Sequence, residues 1–184
     1  KVIGEALKTY IIVEQEDGLL LIDKHAAHER ILFERLKADK TAPMSQMLLS
    51  PEVARFSPKE AQALISSLDL LRAAGFDAED FGGDSLIVRA IPACLDSGDA
   101  QAVLQEIAGD LLGGKGELAA QKHEKLLYRV ACRAAVKAGR SSDIRELNAL
   151  AYEVLSRDDI RYCPHGRPVA ISISKSSLDR QFGR

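Results

Sequence analysis

Two apolar runs, Tyr10-Ile11-Ile12-Val13 and Leu19-Leu20-Leu21-Ile22, flank a polar stretch from Glu14 to Gly18, a pattern that predicts a β-hairpin with Asp17-Gly18 at its turn. The second run passes straight into Asp23, after which Ile31, Leu32 and Leu36 recur at helical spacing, so a strand-to-helix junction falls at Asp23. Ser57-Pro58-Lys59-Glu60 combines a capping box with proline at the first helical position and opens a helix to about Ala74, stopped by Gly75. Two short strands are expected around Gly82-Gly83-Asp84, the second being Leu86-Ile87-Val88-Arg89-Ala90. A helix then runs from about Asp99 to Leu112, closed by Gly113-Gly114-Lys115-Gly116. Glu117 to about Ala138 reads as a long helix ended by Gly139, and Asp143 to Ser156 as another, with Asp143 and Glu146 as a capping pair. Val169-Ala170-Ile171-Ser172-Ile173-Ser174 alternates as a half-buried strand of a one-faced sheet.

Composition narrows the class. A chain of 184 residues, 46% hydrophobic and 28% charged, buries a core as one domain or two small ones. The net charge of −2 excludes a uniformly basic nucleic-acid coat, so any DNA contact is local, weak or helped by other parts. Three cysteines, no signal peptide and no long apolar run point to a reducing cytoplasm. The ends of the chain suggest a fragment of a longer protein.

Two clusters carry the chemistry. His25 and Glu29 stand four apart, on one face of a helix, and Cys163 and His165 stand two apart, on one side of an extended segment. If the fold joins them, imidazole, carboxylate and thiolate meet in a mixture that suits zinc or a similar borderline ion. Asp23 alone reads first as a helix N-cap, a role compatible with metal binding through its other oxygen.

Several motifs now coincide. Asp23-Lys24-His25-Ala26 followed by Glu29 and Glu34, then Ala131-Cys132-Arg133, then Cys163-Pro164-His165-Gly166-Arg167-Pro168, with the ending Phe182-Gly183-Arg184, resemble the C-terminal domain of the MutL mismatch-repair family, in its endonuclease branch. The resemblance covers essentially the whole chain. One position departs from it: Lys24 replaces the usual glutamine, adding a cation that would repel an ion or touch a DNA phosphate. Gln46-Met47-Leu48-Leu49-Ser50-Pro51 is similar to the peptide by which such proteins dock on the sliding β-clamp. It offers a polar hook at Gln46 and apolar anchors at Leu49 and Pro51, and the bland alternative is a loop with Leu48 or Leu49 in the core.

The resemblance implies metal-dependent nicking of double-stranded DNA in mismatch repair. Asp23, His25 and Glu29 would be catalytic, with Asp23, His25, Glu29, Cys132, Cys163 and His165 as metal ligands. Glu34, Arg133, Arg167 and Arg184 would support them. Zinc would organise the site, while manganese or magnesium would drive cleavage. ATP would act only through a domain absent from this chain, and the mismatch-recognition protein MutS would be met through the full-length protein, at the nucleoid of a bacterial cytoplasm. His28 is expected at the solvent, and Glu34, about 140° around the helix from Glu29, off the ligand face. Cys94 and His123 belong to packing or surface, and the Gly113–Gly116 run lacks P-loop spacing.

Pattern and resemblance together give an α+β fold. A mostly antiparallel sheet with helices on one face is made by residues 1–50 and 116–184 and interrupted by a small helix–hairpin–helix subdomain at 51–115. A sheet covered on one side leaves an apolar surface for a two-fold partner, so a homodimer is expected. The competing class is a nuclease-inactive dimerisation and clamp-docking module. A purely structural zinc domain is a third, which leaves Asp23 and the clamp-like segment unexplained.

Overall fold

The computed structural model describes residues 1–38, 43–114, 116–136, 142–157, 159–163 and 166–184. It is an α+β structure with antiparallel sheets, one in each of two units, Lys1–Leu32 with Ala135–Arg184 and Phe33–Ala134. The division falls within two helices, α1 (Lys24–Ala38) and α5 (Ala119–Val136). The block expected at 51–115 lies inside the second unit.

The first unit is built on β1 (Val2–Ala6), β2 (Tyr10–Gln15), β3 (Gly18–Asp23) and β7 (Ala170–Ser174), in the order β1-β2-β3-β7. The hairpin is present, but Gln15 pairs with Gly18, so Glu16 and Asp17 make the turn, one residue earlier than expected. Gly18 serves a different purpose. A Cβ there would fall on the carbonyl oxygen of Ile173, so glycine is what lets β7 approach β3. Strand β1 was not legible, because Leu7 and Lys8 make its turn at φ 55° and 54°, without the usual Gly or Asn signal. The helix α7 (Lys175–Gln181), capped by Ser174, also went unforeseen.

Ile11 pairs with Ile22, and these with Val13 form the buried face of the sheet. Ala26, Ala27 and Ile31 from α1 and Leu147, Leu150 and Ala151 from α6 (Ile144–Ser156) join the same cluster, with Cys163 and Val169. Helix α6 starts as expected, Asp143 and Glu146 forming a complete capping box. On the opposite face Ile12, Leu21 and Ile171 form one cross-strand row, and Leu19 and Ile173 another. None of these five belongs to the buried cluster, and Ile171 is 54% exposed.

The second unit carries β4 (Ser45–Arg55), β5 (Asp77–Gly82) and β6 (Ser85–Pro92), in the order β4-β6-β5. The expected helix to Ala74 is two, α2 (Pro58–Ile65) and α3 (Leu68–Ala73), broken at Ser66-Ser67, while its capping box at Ser57 and Glu60 forms as read. A 3₁₀ turn, Ser97–Asp99, leads into α4 (Ala100–Gly113). Helix α5 is tied to α4 by Arg129, whose Nε and Nη2 fork onto Asp110 at 2.6 and 2.8 Å. Among the described residues no helix is long and apolar enough to cross a membrane.

Candidate metal centre and docking segment

Asp23 ends β3 with its backbone held on both sides. Its N–H donates to Val169 O at 2.9 Å, and the N–H of Lys24 donates to Thr9 O at 2.9 Å. The side chain then turns the strand into a helix, since Asp23 Oδ1 accepts from the Ala26 N–H at 3.0 Å, the capping role read from the sequence. The same residue lines a cavity of about 320 Å³ with Tyr10, its cross-strand partner, and with Leu21, Pro168 and Ile171. One carboxylate thus closes a helix end and faces a recess.

One turn into α1, His25 Nε2 lies 3.9 Å from Glu29 Oε2. The imidazole is 46% exposed and the carboxylate only 5%, so the pair presents a nitrogen at the surface over a buried oxygen donor. In the second motif the described residues are tied backbone to backbone. Cys163 N–H donates to Arg167 O and Gly166 N–H to Cys163 O, both at 2.8 Å, with Gly166 at φ 78°. From Arg167 the chain runs through Pro168 into Val169, whose carbonyl takes the Asp23 N–H, while the buried Cys163 packs in the cluster of Ala26 and Ala27. The two ends of the sequence therefore meet at the β3–α1 junction.

Pro164 and His165 lie outside the described residues, and among those described no three His, Cys, Asp or Glu side chains gather at metal-binding distances. Cys132, half buried on α5, and Glu34, half buried on α1, belong to the second unit. Arg133 binds Asp99, Nε to Oδ1 at 3.1 Å. Arg167 is exposed and contributes its carbonyl; Arg184 is exposed, its N–H on Asp179 O at 2.9 Å.

Lys24 is not where its charge alone suggested. It is 2% exposed, and its Nζ donates to Glu5 Oε1 at 2.5 Å and to Ser142 Oγ at 3.5 Å, so it ties β1 to α1 instead of reaching for a phosphate. The ammonium holds the Glu5 carboxyl below its ordinary value of 4.5. Glu5→Ala is expected to lower the urea midpoint clearly, and Glu5→Ala with Lys24→Met to recover most of the loss, because the double change removes the buried charge too. With Glu5 lowered in the fold, the pair's contribution is present above pH 4.5 and lost as pH falls through the lowered value; a midpoint flat across the acid range would refute it. His28 also differs from expectation. It is half buried, its pKa lowered by burial and by Lys24, against the opposing pull of Glu146 and Glu153 on α6.

In the docking segment, Gln46-Met47-Leu48-Leu49-Ser50-Pro51 lies within the extended β4, not in the loop of the bland alternative. Met47 pairs with Ala90 and Glu52 with Val88, so residues 48–51 bulge out opposite Arg89. Leu49 is fully exposed and Met47 73% exposed, which removes the reading of Leu49 as a core residue. Leu48 and Pro51 border a cleft of about 380 Å³ that Ser97 and Gly98 close on the other side. Gln46 is engaged internally, its Nε2 donating to Leu95 O at 2.5 Å.

Against known proteins, the family model described as "MutL C terminal dimerisation domain" matches residues 3–142. A protein of Gemmatimonas aurantiaca is 39% identical over 96% of this chain and 30% of its own length. Another, of Methanoculleus marisnigri, is 38% identical over 99% and 32%, and one of Phenylobacterium zucineum 36% over 96% and 29%. Each bears the name DNA mismatch repair protein MutL. The chain spans about three-tenths of the length of these relatives.

Proposed function

Because this chain belongs to the MutL C-terminal dimerisation family, we infer that it is the homodimeric, metal-dependent endonuclease domain of a mismatch-repair protein, directed to DNA by the sliding clamp. The observation that carries the nuclease reading is the Asp23–Val169 hydrogen bond, which with the packing of Cys163 on Ala26 and Ala27 supports a meeting of the second motif with the junction bearing Asp23, His25 and Glu29. Their donors fit a divalent ion: a buried carboxylate 3.9 Å from an exposed imidazole, next to a pinned aspartate. Glu29, His25, Cys163 and His165 would hold zinc, with Cys132 added on the family pattern alone, and the hard oxygens of Asp23 and Glu29 would suit manganese or magnesium. When bound, such an ion polarises the scissile phosphodiester and makes a water nucleophilic at neutral pH.

The chain's own residues supply position. Asp23 Oδ1 is committed to the Ala26 N–H, which fixes the carboxylate plane and leaves Oδ2 to accept a proton from the attacking water. Glu29 is kept from rotating away by burial, its side chain only 5% exposed. With a net charge of −2 the chain brings little attraction for DNA, which assigns delivery of the duplex to the clamp and to the rest of a longer protein, the part that would also meet ATP and MutS. The uncovered row Ile12, Leu21 and Ile171 is the surface a second copy would bury.

The test of this reading is conversion of supercoiled plasmid to open circles by the purified chain with manganese, with and without loaded clamp. Nicking that the clamp accelerates supports it. No nicking in either condition, with the dimer and clamp binding intact, leaves the dimerisation and docking module instead. Leu49→Ala is expected to abolish the clamp's stimulation and weaken clamp binding by about 2 kcal/mol or more, as loss of an anchoring hot spot does, without changing basal nicking. Calorimetry on the clamp checks it, and unchanged affinity would refute the segment's role.

A further inference from the structure

The bulge that exposes Leu49 and the helix that carries Cys132 are connected by one short segment of the second unit, residues 95–99. Gln46, the first residue of the docking peptide, donates its side-chain amide to Leu95 O at 2.5 Å. Ser97 and Gly98 form the wall of the cleft beside Leu48 and Pro51. Asp99, the end of the same 3₁₀ turn, uses both carboxylate oxygens. Its Oδ2 accepts from Asp96 N–H at 3.3 Å and holds the turn closed, and its Oδ1 accepts from Arg133 Nε at 3.1 Å, one residue beyond Cys132.

Two ion pairs therefore bracket Cys132 on α5, and they differ in strength. Arg129 forks onto Asp110 with two short bonds, while Arg133 has a single, longer bond to Asp99 in the described geometry. By geometry the Asp99 contact is the weaker of the two. A clamp groove that takes Gln46 as its polar hook must first withdraw that amide from Leu95, and anchoring Leu49 would pull on the bulge that shares the cleft with Ser97 and Gly98. Both changes act on the segment that ends at Asp99.

We propose that residues 95–99 relay docking to the metal-ligand helix, with Asp99 a positioning residue that sets Cys132 through Arg133. The undocked chain holds the turn closed on Gln46 and Arg133. Docking opens the turn, loosens Arg133 and changes the presentation of the Cys132 thiol. The proposal rests on the docking reading above and on Cys132 as a ligand, and it adds a route by which clamp binding and metal chemistry are coupled.

The test is site-resolved alkylation of Cys132 by iodoacetamide in the metal-free chain, followed by mass spectrometry, with and without saturating sliding clamp. Clamp should raise the wild-type alkylation rate by at least about twofold, the lower end of coupling energies measured between linked sites. In Asp99→Ala the rate should be high without clamp and insensitive to it, with clamp still bound, and Asp99→Asn, which keeps an acceptor for Arg133, should restore part of the response. Clamp that binds wild type by calorimetry but leaves the Cys132 rate unchanged overturns the relay alone. Clamp that does not bind wild type overturns the docking reading and the relay with it.

Discussion

Asp23→Asn is expected to lower manganese-dependent nicking by at least about a hundredfold while leaving fold and dimer intact. Asparagine caps a helix as well as aspartate does, and its side-chain oxygen can keep the 3.0 Å bond from the Ala26 N–H. The backbone bonds that pin the junction, Asp23 to Val169 and Lys24 to Thr9, do not involve the side chain. What the substitution removes is the negative charge and the proton-accepting oxygen at the recess lined by Tyr10 and Ile171. Plasmid nicking measured beside thermal melting separates the two roles. Unchanged nicking with unchanged melting would mean that Asp23 is a cap and nothing more.

Ile171→Glu is expected to turn the homodimer into a monomer. Ile171 sits at one end of the row Ile12–Leu21–Ile171 on the face that α1 and α6 do not cover, and two-fold symmetry places the substituted residue at the interface twice. A residue of this kind contributes about 2 kcal/mol or more to an interface, so the dissociation constant should rise at least about thirtyfold. The monomer itself should melt near the wild-type temperature, because the side chain is already 54% exposed within one chain. Light scattering across a micromolar concentration series reads the result. A dimer as tight as wild type would place the interface elsewhere, and the apolar face would need another occupant.

What the sequence revealed and what it hid follow from the range of the forces involved. Capping boxes at Ser57 and Asp143 are local, each settled within four residues, and both formed as read. The junction at Asp23 was legible because a strand run abuts a helical one. The turn at Glu16-Asp17 was misplaced because Gly18 looks like a turn glycine, while its need comes from Ile173, far along the chain. Likewise β4 was hidden because Met47, Leu49 and Val53 are exposed around a bulge, which breaks any apolar-polar alternation. In the candidate site, spacing put His25 and Glu29 on one face. No local pattern could show that Lys24 is swallowed by Glu5, nor that Gln46 is spoken for by Leu95, since both partners are distant in sequence.

The proposed union of the β3–α1 junction with Cys163 and His165 in one metal site has a direct test. That test is zinc and manganese stoichiometry on the purified, reduced chain, wild type beside a Cys163→Ser, His165→Ala double variant whose fold is checked by circular dichroism. Bound ions are expected in wild type, and their loss from the folded variant. Equal metal content in both, or none in wild type, would contradict it.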